Sequence, residues 1–288
     1  MSEPTPNLPV PRGEVVPVDD GAIGGEDLAA LGRAVKALEH QTFAMRIANT
    51  IGRQLGTIAH LIPGPVRGLV DKAAEKAIAA ALDVAVGSLP RTAPRDTRRL
   101  HKAAAAVSGA AGGLFGMSSL PVELPLSTII ILRSIADIAR QSGEDIADPA
   151  TALACLEVFA LGAHERDDTF VESGYFAVRG VLAKAVSEAA KFVAQNTAVE
   201  AGSPVLVRLI TQIGTRFGLV VSQKVAAQAV PILGAAGGAA VNYAFAEHFQ
   251  SLASAHFVVR RLERTYGKDT VRAEYERLLA GGSTAAYA

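Results

Sequence analysis

The chain has 288 residues, 50% of them hydrophobic and only 19% charged, with 28 basic residues against 28 acidic ones. The charged share lies below the ~25% of ordinary soluble domains, so much of the chain must be buried in protein or touch lipid. The even balance argues against a general electrostatic affinity for nucleic acid. The single cysteine, Cys155, excludes an internal disulfide. Set in ALACLEVFALG, it reads as a small buried hydrophobe.

Residues 1–25 carry Pro4, Pro6, Pro9, Pro11 and Pro17 among acids and glycines, the composition of a disordered tail. No basic start leads into an apolar run, so a cytoplasmic protein is expected rather than a secreted one. From Glu26 the pattern turns helical. Leu28, Leu31, Val35 and Leu38 step by threes and fours, and Phe43, Ile47, Ile51, Leu55 and Ile58 continue the stripe as one helix. The run Ile62 to Pro65 stops it, and Pro65 suits the first turn of a helix reaching Gly87. After a connector over 88–96, a helix starts near Asp96.

LSTIIILRSIADIARQ, after Pro125, is a helix closed by Gly143. Asp148-Pro149 caps and opens the next, which ends at Gly162; His164 to Asp168 then fall in a polar loop. A helix from Gly174 follows, and Ser203-Pro204 begins another that Pro231 breaks. The pattern then runs from Ile232 to Tyr266 and stops at Gly267, and Asp269 caps a last short helix. No segment alternates with period two. The expected fold is all-α: one domain over 26–280 with about eight to ten helices and a frayed tail over 281–288.

The sequence GAAGG occurs twice, at Gly109–Gly113 and Gly234–Gly238. Each copy lies in a charge-free run, Ala103–Val122 (20 residues) and Val225–Ala246 (22 residues). Glycines four apart share a helix face and let a second helix approach closely. Gly109 and Gly113 are therefore expected to face Gly234 and Gly238 across two central helices. Asn242, inside the second run, needs a buried hydrogen-bond partner, and the kink near Pro121 is the expected place. The runs are long enough to cross a bilayer but poor in Leu, Ile and Phe. A buried hairpin core is the preferred reading, ahead of a hairpin resting against or partly entering a membrane.

Two blocks carry a family resemblance: GMSSLPVELPLSTIIILRSIADIARQSGEDI (Gly116–Ile146) and VPILGAAGGAAVNYAFAEHFQSLASAHFVVRRLERTYG (Val230–Gly267). Together they resemble the EcsC family, bacterial proteins named for a gene beside an ABC transporter operon, over roughly residues 35–280. Glu123-Leu124-Pro125 stands where many members have Asp-Leu-Pro. The resemblance implies transporter or membrane association and no established reaction.

Candidate chemistry is sparse. Glu123, between two prolines at the edge of an apolar region, could be a general base or a polar lock, or simply an acid favoured by a helix N-terminus. His248 and His256, eight apart, are the other candidate catalytic groups. Metal-ligand spacing, a G-x-S-x-G elbow and a dinucleotide loop are absent, so no metal and no cofactor is expected. The cluster PRDTRRLHK places Arg95, Arg98, Arg99 and Lys102 beside the first charge-free run, where they could meet lipid headgroups. The leading expectation is a membrane-associated or lipid-contacting accessory protein without catalysis, at the inner face of the membrane, with a membrane lipid or membrane protein as partner. The alternatives are a hydrolase using Glu123 with a histidine, and a soluble helical interaction scaffold.

Overall fold

The computed structural model describes residues 23–40, 42–51, 64–89, 98–115, 120–162, 174–196, 202–228 and 234–285. Among these residues every regular element is a helix. In chain order they are α1 (Gly25–Glu39), α2 (Phe43–Ile51), α3 (Gly64–Gly87), α4 (Arg98–Phe115), α5 (Leu120–Gln141), α6 (Pro149–Leu161), α7 (Gly174–Gln195), α8 (Pro204–Gln228), α9 (Gly234–Tyr266) and α10 (Lys268–Ala285). The fold is a single all-α domain, as the periodicity predicts.

Local chemistry explains most of the boundaries. Asp148 accepts from the Ala150 and Thr151 amides, both at 3.3 Å, ahead of Pro149 at the start of α6. Ser203 Oγ accepts from the Leu206 amide at 3.4 Å at the start of α8. Gly143 and Gly267 end α5 and α9 with φ of 79° and 87°, the left-handed conformation that glycine adopts without strain.

Three expectations need correction. The first helical stripe is not continuous. α1 ends at Glu39, and Thr42 starts a new helix by accepting the Met45 amide on its Oγ1 and the Arg46 amide on its carbonyl. A hydroxyl cap outweighs an unbroken apolar pattern, because the pattern records which face is buried and not where the backbone breaks. Leu55 and Ile58 lie outside the described residues.

Next, α5 begins at Leu120 and takes Pro125 inside it. Pro125 sits in the second turn, so only the bond to the Pro121 carbonyl is lost. Ser127 and Thr128 hydroxyls both donate to the Leu124 carbonyl, at 3.1 and 2.7 Å. Finally, Asp269 is not the cap of the last helix but its second residue, where the N-terminal dipole favours an acid. That helix continues to Ala285.

α9, 33 residues and about 50 Å long, is the spine. It packs against α1, α2, α4, α5, α6, α8 and α10, and its contact with α4 is the most extensive between any two helices. The two small-residue helices thus lie side by side. They are not equally central: α4 packs on α9 and α5 and leaves Arg99, Leu100 and Val107 exposed. Gly238 is buried; the surroundings of Gly109, Gly113 and Gly234 fall outside the described part. α1 is moored by its acids. Asp27 accepts from Arg261 (2.8 Å) and Tyr266 (2.9 Å), and buried Glu39 accepts from the Tyr175 amide (3.1 Å) and the Tyr275 hydroxyl (2.9 Å).

Helix α8 is the one described helix long and apolar enough to cross a membrane, and half of its apolar stretch is buried in the domain, as in a core helix. It packs tightly on α3 through glycine. A Cβ at Gly214 would lie 3.0 Å from Glu75 Cγ and 3.3 Å from its Cα. Gly214→Leu is expected to lose about 1–3 kcal/mol through overpacking. Gly180→Ala, where a Cβ meets nothing within 4 Å, should gain about 0.5–1 kcal/mol by removing backbone freedom. Urea melts of the two variants check both signs.

Candidate functional site

The charged residues that bound the two charge-free runs pair with each other. Lys102, just before the first run, meets Glu247, just after the second, at 3.1 Å. Glu123, just after the first, meets Lys224, just before the second, at 2.8 Å. The first pair is half-buried. The second is in the interior: Lys224 is 0% exposed.

Asn242 completes this inner lock. Its Nδ2 donates to Glu123 Oε1 (2.8 Å), to the Ala105 carbonyl (3.0 Å) and to Ser108 Oγ (3.3 Å). Four helices, α4, α5, α8 and α9, therefore meet at one carboxylate. Glu123 lies in the first turn of α5, so the helix dipole supports its charge. Lys224 Nζ also lies 4.7 Å from the Phe245 ring centroid, a cation–π contact. Burial lowers the Lys224 pKa and Glu123 opposes the shift.

Asn242, expected to bond near Pro121, bonds Glu123, which lies between Pro121 and Pro125. Its partner Lys224 was not singled out, although its position flanking the second run was the available signal.

The histidines lie elsewhere. His248 is buried against Phe43 and Phe249, and neither ring nitrogen makes a hydrogen bond. Burial, and then the charge of Arg46, push its pKa down to about 3; the Gly162 backbone is the weakest influence and opposes them. His256 shares its Nδ1 with the Tyr175 hydroxyl at 3.1 Å, and its Nε2 has no partner. Burial, aided by Arg179 and Arg260, holds it neutral. Neither ring is hydrogen-bonded to Glu123, whose bonds go to Lys224 and Asn242. Cys155 is buried, and its thiol is pushed up to about 12.

Beside the outer ion pair lies a cleft of about 590 Å³, with Arg46, Arg98, Arg99 and Lys102 on its walls against one acid, Glu247. Its floor is the polar face of α9. There Gln250 Nε2 donates to Ser134 Oγ (2.8 Å) and to the Arg98 carbonyl (3.1 Å), fixing the start of α4 against α5 and α9. Three of the four predicted headgroup residues thus line one concave, positively charged surface. Arg95 lies outside the described residues. Arg46, from α2, joins them through tertiary contact that no sequence pattern announces. Arg99 makes no ion pair among the described residues.

Exposed apolar side chains lie next in sequence to residues of the inner lock. Val107, Val122 and Tyr243 are the sequence neighbours of Ser108, Glu123 and Asn242, and Leu126 lies one turn on. Val107 is 71% and Val122 75% exposed.

The chain is thus a helical domain pinned at one buried carboxylate, with a cationic cleft on its outer face. The EcsC protein family model matches residues 27–262, and the chain belongs to the EcsC family. No curated protein and no solved structure matches it.

Breaking the lock on one side should be costly. Lys224→Met strands the Glu123 carboxylate in the interior and is expected to lose about 3–5 kcal/mol, whereas Lys224→Met combined with Glu123→Met recovers most of that loss. Chemical denaturation of the two single variants and the double variant measures the coupling. A loss in the double variant equal to the sum of the two single losses would exclude a paired interaction.

The histidines set a separate acid limit. With His248 held near 3 in the fold and 6.5 as its ordinary value, the unfolded chain binds the proton that the native one refuses. Stability present above pH 6.5 is lost as pH falls towards 3. Thermal melts of His248→Phe should show a shallower decline across that interval than the parent.

Proposed function

We propose that this EcsC protein is a peripheral membrane-contacting protein of the cytoplasmic face, acting without catalysis. The observation that carries the reading is the pairing of a cationic cleft with exposed apolar side chains on the same helix. α4 bears Arg98, Arg99 and Lys102 at its start and exposed Val107 two turns on. At 1.5 Å per residue, Arg99 and Val107 are about 12 Å apart along the axis. Peripheral helices bury their apolar face roughly 5–10 Å deep, so Val107, Val122, Leu126 and Tyr243 can reach the acyl boundary while the arginines stay among anionic headgroups.

Each charge-free run is also shared between two helices, the first between α4 and α5 and the second between α8 and α9. Neither is a single helix of spanning length, which favours contact over crossing. The hydrolase reading draws no support from the separate placements of Glu123 and the two histidines. A soluble scaffold would use the same surface for protein instead of lipid.

The chain should sediment with vesicles of phosphatidylcholine and phosphatidylglycerol but not with phosphatidylcholine alone. Binding should weaken as salt shortens the reach of exposed charges to about 8 Å and below. Replacing Arg95, Arg98, Arg99 and Lys102 by Gln should remove the salt-dependent part, and Val107→Ser with Val122→Ser the salt-independent part. Absence of vesicle binding would favour the scaffold. Resistance to carbonate extraction would mean that the charge-free runs enter the bilayer.

A further inference from the structure

A second cleft, of about 420 Å³, opens between α6, α7 and the junction of α9 with α10. Its volume falls within the range of small-ligand pockets, ~300–1,000 Å³. Glu157 lines it, and it is the only charged residue of α6. It is 6% exposed, and among the described residues its carboxyl makes no hydrogen bond and no ion pair.

The cations around it are already spoken for. Arg179 is held by both oxygens of Glu263, at 2.7 and 3.0 Å. Arg260 is held by both oxygens of Glu144, at 3.0 and 3.1 Å. Arg272, at the rim, pairs with Glu276 at 2.9 Å, and Lys268 stands beside Asp269 in the first turn of α10. Arg260 shares Glu144 with Arg264, and Glu157 is the buried acid of the lining left without a hydrogen bond or ion pair among the described residues. Burying a carboxylate without a partner is expensive, and burial pushes its pKa up to about 7, against the opposing pull of Arg179 and Arg260.

A ligand relieves this if it brings both hydrogen-bond donors and positive charge. A neutral hydroxyl would leave the Glu157 charge uncompensated. A primary ammonium supplies three donors and one charge. Phe176 offers an apolar wall for a short carbon chain, and at Gly180 a Cβ would meet nothing within 4 Å, so the wall there is open. We propose that this cleft binds the ammonium group of a small organic amine, with the Glu157 carboxylate as its counter-ion. The site is independent of membrane contact: it is built from other helices and uses none of the basic cleft.

Isothermal titration calorimetry on the full chain tests this, with butane-1,4-diamine as probe and butane-1,4-diol as its uncharged isostere. The diamine should bind and the diol should not. Burial pushes the Glu157 pKa up to about 7, so pairing its carboxylate with an ammonium should release protons near that pH, read by comparing buffers of different ionisation enthalpy. Affinity should rise from pH 6 to pH 8 as Glu157 ionises; the charged groups that line the cleft with it are Arg179 from α7, Arg260 and Glu263 from α9, and Lys268, Asp269 and Arg272 from α10.

Glu157→Gln, which keeps the shape and removes the charge, should weaken binding at least about tenfold with no loss of melting temperature. Gly180→Leu should block the cleft while folding normally. Equal binding of diamine and diol, unchanged binding by Glu157→Gln, or no binding of the diamine to the parent protein would each overturn the assignment.

Discussion

A buried carboxylate must be matched by cation and hydrogen bonds, and in this domain the match at Glu123 comes from two other helices and ties in a third. Lys224 supplies the charge, Asn242 an amide donor, and the same amide fastens the Ala105 carbonyl of α4. The register of α4 on α9, the entry of α5 with its internal proline, and the end of α8 all follow from satisfying this one group. A shift of any of the four by one residue would rotate its polar contribution away from the others. The apolar side chains around the lock can pack in several ways; the lock admits one.

The rest of the interior repeats the device in milder form. Glu144 gathers Arg260 and Arg264 where α5 leaves the core, Glu263 takes Arg179 from α7, and Glu39 takes Tyr175 and Tyr275. Almost every one of these bonds involves α9 or the helix after it. Among the described residues Glu157 differs from these acids: it lies on the most uniformly apolar helix and makes no hydrogen bond or ion pair, the ground on which we propose it as a binding group and not another mooring.

Helical content and most breaks were legible in the residues, because Asp148-Pro149, Ser203-Pro204, Gly143 and Gly267 carry their boundary chemistry locally. The break after Glu39 was written in Thr42, but a continuous apolar stripe masked it. Of the site, Glu123 and Asn242 stood out as polar residues in apolar surroundings, and Arg98, Arg99 and Lys102 as a local charge cluster. Lys224 and Glu157 carry the same signal, a single charge at the edge of or inside an apolar stretch, and reading each run together with the charges that bound it would have found the first. Arg46 and Gln250 could not be found, since their part in the cleft depends on α2 and α9 being brought together by the fold.

The mooring of α1 has a consequence for the order in which the molecule is made. Asp27 and its partner Arg261 stand 234 residues apart, and Glu39 and Tyr275 stand 236 apart. α1 packs on α9, α10 and α7 and so emerges from the ribosome long before any surface that can receive it. At roughly 5–20 residues per second, the wait is on the order of 10–50 s, during which the Leu31, Val35 and Leu38 face stays uncovered. Contacts between residues this far apart in sequence close slowly. Burial of the first helix is therefore tied to the synthesis of α9 and α10, and until then its apolar face is open to other contacts.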